Sequence, residues 1–201
     1  MKKSIDFYMV TISPWCYFAL KSLKSLFDEH KIEINFKPVD IMSIFKDNQT
    51  KGVKDRPLPV QKNRLNELKR WSDYLNVKLN PNPKFHPVNP EISSKIIISS
   101  LIHQYSFEKQ LSLVTKLCEA YWVNNLDVSD IDVVTKIANE ASINDNIIEN
   151  LLSDEKITEQ LNKNTLQAKE NNVFGVPTFI YGNELFFGQD RLFMLEQLIK
   201  E

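Results

Sequence analysis

The run Ile5-Asp6-Phe7-Tyr8-Met9-Val10-Thr11-Ile12-Ser13-Pro14-Trp15-Cys16 decides how the rest of the chain is read. Its first eight residues, Ile5 to Ile12, are rich in β-branched and aromatic types and predict a buried strand. Ser13-Pro14 stops that strand and opens a helix, since serine is a favoured N-cap and proline suits the first helical position. Beyond it, Ala19, Leu23, Leu26 and Phe27 recur at helical spacing and predict a face turned to a core. Ile32 to Phe36 then alternates as a second strand, so the chain opens as a βαβ unit.

From about Pro59 to Glu170 helical patterns take over, broken by the proline-rich stretch Asn80 to Pro87. Helices are expected over about Pro90 to Tyr105, Phe107 to Asn124, Asp130 to Ala141 with Asp130 as cap, and Asp145 to Glu170 with an interruption. Strand patterns return at Pro177 to Tyr181 and Glu184 to Phe187, on either side of Gly182-Asn183, which reads as a hairpin. Asp190 to Lys200 closes the chain as an amphipathic helix. The expected fold is α/β: a thioredoxin-like βαβ…ββα domain, residues 1–44 and 172–201, with a large all-helical insertion over 45–171.

Composition narrows the function. The 201 residues carry 25 basic and 26 acidic side chains, so the basic excess of a nucleic-acid binder is missing. No apolar run approaches the roughly 20 residues that span a bilayer. Met1-Lys2-Lys3-Ser4 leads straight into strand sequence, without the apolar region or cleavage site of a leader, and the cytoplasm is the expected compartment. Cys16 and Cys118 lie far apart, as do His30, His86 and His103, so neither a disulfide framework nor a metal site is expected.

Two stretches carry chemistry. Ser13 sits where a strand meets a helix N-terminus, whose free N–H groups and dipole stabilise an anion such as a thiolate. Ser13-Pro14-Trp15-Cys16 fills the turn that redox proteins of this fold occupy with Cys-x-x-Cys, but a hydroxyl in the first position cannot form a disulfide. It can donate a hydrogen bond to a sulfur anion and lower its pKa. Taken alone, Ser13 reads equally as a helix cap and Cys16 as a small buried apolar residue. The second stretch is Phe174-Gly175-Val176-Pro177-Thr178-Phe179. A proline opening a strand here reads either as an edge-strand residue or as a cis bond that exposes the Val176 backbone to an extended peptide.

Taken together, Asp6-Phe7-Tyr8, Ser13-Pro14, Lys62 to Tyr74 with Leu68-Lys69-Arg70-Trp71, Val173 to Phe179, and Phe187-Gly188-Gln189-Asp190-Arg191-Leu192 resemble the 2-hydroxychromene-2-carboxylate isomerases. These are relatives of DsbA-like proteins and kappa-class glutathione transferases, and the resemblance runs in order through almost the whole chain. It implies glutathione as cofactor, with Ser13 against its sulfur, the Val176 backbone along its cysteinyl part, Gln189 and Asp190 at its γ-glutamyl end, and Lys62 as a further contact. Asp190 also reads as a cap for the last helix, and the two roles can coexist.

For the substrate, an aromatic 2-oxo or 2-hydroxy acid, the resemblance implies Lys46, Asp55 and Arg56, with Phe85 as an aromatic wall. It implies addition of the glutathione thiolate to a conjugated system, rotation about the loosened double bond, and release of the thiolate. The departure from the family pattern is Cys16, where many members carry serine, which leaves a residual redox role open. A glutathione transferase and a non-catalytic peptide-binding protein use the same motifs and are the alternatives. A thiol–disulfide oxidoreductase lacks its first cysteine. A second copy of the chain is a further candidate partner; nucleic acid and membrane are not.

Overall fold

A computed structural model describes residues 4–143 and 153–200. β1 (Ser4–Met9) leads into α1 (Pro14–His30) and β2 (Glu33–Pro38); six helices follow before the chain returns to the sheet. Among the described residues these six are α2 (Ile41–Asp47), α3 (Leu58–Leu75), α4 (Glu91–Ile102), α5 (Phe107–Trp122), α6 (Ile131–Glu140) and α7 (Glu155–Glu170). β3 (Thr178–Tyr181), β4 (Glu184–Phe187) and α8 (Leu192–Lys200) close the chain. The sheet order is β2-β1-β3-β4, with β1 parallel to β2 and antiparallel to β3.

The alternation of β1 divides the core in two. Ile5, Phe7 and Met9 face the larger cluster, with Ile34, Phe36 and Phe179 from the neighbouring strands and Leu23, Ile97 and Leu117 from α1, α4 and α5. Tyr8 and Val10 face the other side, against Val39, Ile41, Ile44, Ala168 and Val173. Successive strand residues point to opposite faces, and a strand apolar on both faces must be covered on both. α4 is buried on all sides from Ser93 to Ser100, which is why it lacks an amphipathic pattern. Among the described residues no helix is long and apolar enough to cross a membrane.

Three expectations need correction. β1 ends at Met9, not Ile12, because its partner strand ends opposite it at Pro38 and the chain then turns, the Ser13 N–H donating to the Val10 carbonyl at 3.2 Å. α2 is a helix the patterning did not predict: it has under two turns, is capped by Asp40 accepting from Met42 and Ser43, and buries only Ile41 and Ile44. The expected boundary between residues 44 and 45 falls inside it, and the larger core cluster runs without a break from the sheet into α4, α5 and α6. Of the helix expected from Asp145, the part before Ser153 lies outside the described residues; α7 starts at Glu155 under an Asp154 cap.

Candidate functional site

At the start of α1, Ser13 adopts extended backbone (φ −98, ψ 118) with Pro14 next, the geometry of a helix cap. The Cys16 N–H donates to its Oγ at 3.3 Å. The hydroxyl is also the hydrogen-bond partner of the Cys16 side chain. Ser13 is 9% exposed, so it borders solvent. Cys16 is fully buried, and burial pushes its thiol up to about 12, against an opposing hydrogen bond from Ser13. Such a thiol stays protonated and is no nucleophile at neutral pH. The same holds for Cys118, also sealed in the core with its pKa raised by burial.

Two other segments come to this end of the sheet. The Val176–Pro177 peptide bond is cis, as is His86–Pro87. Thr178 pairs with Tyr8, so Pro177 falls across from the end of β1, where the Ser13 turn departs. The backbone of Val176 makes no hydrogen bond with the described residues, although those around it do: Thr178 Oγ1 donates to the Gly175 carbonyl at 2.8 Å. The third segment is clipped to the second, the Gly188 N–H donating to the Pro177 carbonyl at 2.9 Å. Gly188 has φ 103, and a Cβ there would sit 2.5 Å from Asp190 Oδ1, so only glycine lets the Asp190 carboxylate fold back as it does.

Gln189 and Asp190 lie in a 3-10 turn, not within the terminal helix, and Asp190 Oδ2 pairs with Arg191 Nη1 at 2.6 Å. Gln189 is 9% exposed, and its Nε2 is buried without a hydrogen-bond partner among the described residues. Both residues line a groove of about 270 Å³ with Phe18 and Ser22 of α1 and Trp71 of α3.

The remaining expected residues are scattered. Lys46, at the end of α2, and Lys62, on α3, are exposed, and their side chains make no ion pair or hydrogen bond with the described residues. Asp55 is exposed and turned back on Gly52, its Oδ2 3.2 Å from where a Cβ would stand there. Phe85 is half-buried against the edge of the core with Lys84 5.0 Å over its ring. Arg56 is half-buried, its Nε donating to the Lys51 carbonyl at 3.2 Å. Sequence reading missed its neighbour Arg64, also half-buried, and His86, whose Nδ1 is 2.8 Å from the Tyr121 hydroxyl. Nothing in local spacing marks either residue; their setting comes from tertiary packing.

A capped helix start facing a cis-proline at the end of a mixed four-stranded sheet places the chain in the thioredoxin-like class. It belongs to the DSBA-like thioredoxin domain family, whose model matches residues 4–200. The 2-hydroxychromene-2-carboxylate isomerase of Pseudomonas sp. (strain C18) is 26% identical over 97% of this chain and 89% of its own length. The protein of that name from Sphingobium xenophagum is 24% identical over 99% of each chain. A solved 2-hydroxychromene-2-carboxylate isomerase superposes with a TM-score of 0.79 at 25% identity, covering 98% of this chain and 94% of that one. The cytosolic disulfide reductase DsbM of Pseudomonas aeruginosa shares the fold, with a TM-score of 0.70 at 12% identity over 98% and 100% of the two chains.

Proposed function

We propose that the chain is a glutathione-dependent isomerase of an aromatic 2-oxo or 2-hydroxy acid, acting as a 2-hydroxychromene-2-carboxylate isomerase. The observation that carries this reading is Ser13, a hydroxyl at the head of α1 with the only nearby thiol, Cys16, sealed in the core. A site so built holds a thiolate but cannot itself supply one. The relatives that bear the isomerase name cover the chain from end to end.

The residues fit the tripeptide. The unpaired Val176 backbone suits main-chain pairing with an extended peptide. The orphan Gln189 Nε2 is a buried donor suited to an acceptor such as the γ-glutamyl carboxylate, and Asp190, which lines the same groove, suits the ammonium. When bound, glutathione supplies the thiolate that adds reversibly to the conjugated acid and lets a double bond rotate. Ser13 donates its hydroxyl hydrogen to the sulfur and, with the α1 N-terminus, favours the anion.

The test is to incubate the protein with 2-hydroxychromene-2-carboxylate, with and without glutathione, and identify products by chromatography. The expected result is glutathione-dependent formation of the ring-opened trans isomer with glutathione recovered unchanged. A stable thioether would make the protein a kappa-like transferase. Glutathione binding without turnover of any aromatic acid would leave a peptide-binding protein of this fold.

A further inference from the structure

The loop before α3 and the first turns of that helix carry cations with no carboxylate partner among the described residues. The Gln61 Nε2 amide donates to the Lys54 carbonyl at 3.1 Å and to the Arg56 carbonyl at 2.7 Å, tying that loop onto the first turn of α3. Arg64 follows Gln61 by three residues and so shares its face of α3. The Arg56 charge is near enough, with burial, to lower the pKa of Arg64. Burial comes first for His86 as well, with Arg64 and Lys54 adding to the depression, so its imidazole is neutral at neutral pH.

None of Lys54, Arg56, Arg64 or His86 pairs with a carboxylate among the described residues. Asp55, the adjacent acid, is turned to Gly52. The Arg64 side chain makes no hydrogen bond with the described residues. A half-buried guanidinium with neither acid nor acceptor, and within the field of a second guanidinium, is costly unless an anion arrives to complete it. Arginine is the residue whose planar fork matches a carboxylate.

The histidine is set to join them. His86 Nδ1 lies 2.8 Å from the Tyr121 hydroxyl; with that hydroxyl as the donor, the neutral ring carries its proton on Nε2. His86 also ties the cluster to the catalytic turn. Its ring lies 5.5 Å from that of Trp122, whose Nε1 donates at 3.2 Å to the carbonyl of Thr11, two residues before Ser13.

We propose that Arg64, with Arg56 and the Nε2–H of His86, forms the pocket that takes the substrate carboxylate and makes the site selective for acids over neutral aromatics. The proposal rests on the isomerase reading for the identity of the acid, but not for the existence of an anion pocket. It assigns specificity to Arg64 and not to the exposed Lys46.

The probes are salicylate and its neutral analogue salicylamide, titrated by calorimetry with and without glutathione. Wild type is expected to prefer salicylate by roughly tenfold or more, the return from one desolvated charge-assisted pair. Arg64→Gln should abolish that preference while glutathione affinity stays within about twofold and the melting temperature holds or rises, because unpaired like charge is relieved. Salicylate should raise the melting temperature of wild type but not of Arg64→Gln, and Arg64→Lys should restore part of the preference.

An Arg64→Gln protein that keeps the preference would overturn the inference. Loss of glutathione affinity in step with salicylate would also overturn it, since Arg64 would then serve the tripeptide. A wild type that binds no glutathione but shows an Arg64-dependent preference would remove the isomerase reading and leave the pocket standing.

Discussion

Under the proposed function, replacing Ser13 with alanine removes a single hydrogen-bond donor from the sulfur of bound glutathione. A hydrogen bond to a charged group contributes about 1.5–3 kcal/mol. At about 1.36 kcal/mol per pKa unit, that lowers the bound thiol by about one to two units from a reference of about 8.5. At neutral pH the thiolate fraction then falls, on mutation, from roughly 30–80% to about 3%. A less acidic thiol is a better nucleophile, with a Brønsted coefficient of about 0.4–0.5 that recovers close to half of the loss on a logarithmic scale. The net loss in kcat/KM is therefore roughly three- to fivefold.

The direction with pH is fixed. A donor to the anion depresses the pKa, so the Ser13→Ala activity profile moves up by about one to two units and approaches wild type in alkali. Ultraviolet absorbance of the bound thiolate against pH reads the shift directly. The mutation also deletes a helix cap, but the bond lost is a long one at 3.3 Å, so its stability cost belongs near the low end of about 0.5–2 kcal/mol. Wild-type turnover with an unmoved thiolate titration would reduce Ser13 to that cap and refute the reasoning.

Gly188→Ala would force a Cβ to within 2.5 Å of Asp190 Oδ1 at a backbone φ of 103. Stability should fall by roughly 1–3 kcal/mol in denaturant titration, and glutathione affinity with it as Asp190 is displaced; unchanged affinity would separate Asp190 from the tripeptide. Lys95 has only 8% of its side chain exposed, and its Nζ pairs with Glu91 Oε1 at 2.9 Å. Glu91→Gln should therefore cost roughly 1–3 kcal/mol by leaving a buried cation half-satisfied. The Glu91 pKa is lowered, first by the hydrogen bond to Lys95, so its contribution is full above the ordinary carboxylate value of about 4.3 and is lost as pH falls through the lower folded value. Acid unfolding curves of wild type and Glu91→Gln should converge in that range, and parallel curves would count against the pair.

What could be read from the sequence was whatever local chemistry dictates. Ser13-Pro14 announces a capped helix start, the β-branched and aromatic run of β1 announces a buried strand, and Gly182 takes the positive φ of 60 that its hairpin needs. The turn bearing Ser13 was legible for the same reason: cap, dipole and hydroxyl all sit within a few residues. α2 was not, since under two turns bury too little to leave a periodic signature. Nor was the anion pocket. Arg56, Arg64 and His86 come from a loop, a helix face and a cis-proline segment, and an unpaired charge in sequence looks no different from a solvated one. Only packing reveals that three cationic or donor groups converge while the acid beside them turns away. The division follows function: the half of the site that handles sulfur rests on backbone geometry that sequence encodes locally, while the half that would select the acid rests on side chains that find one another only in the fold.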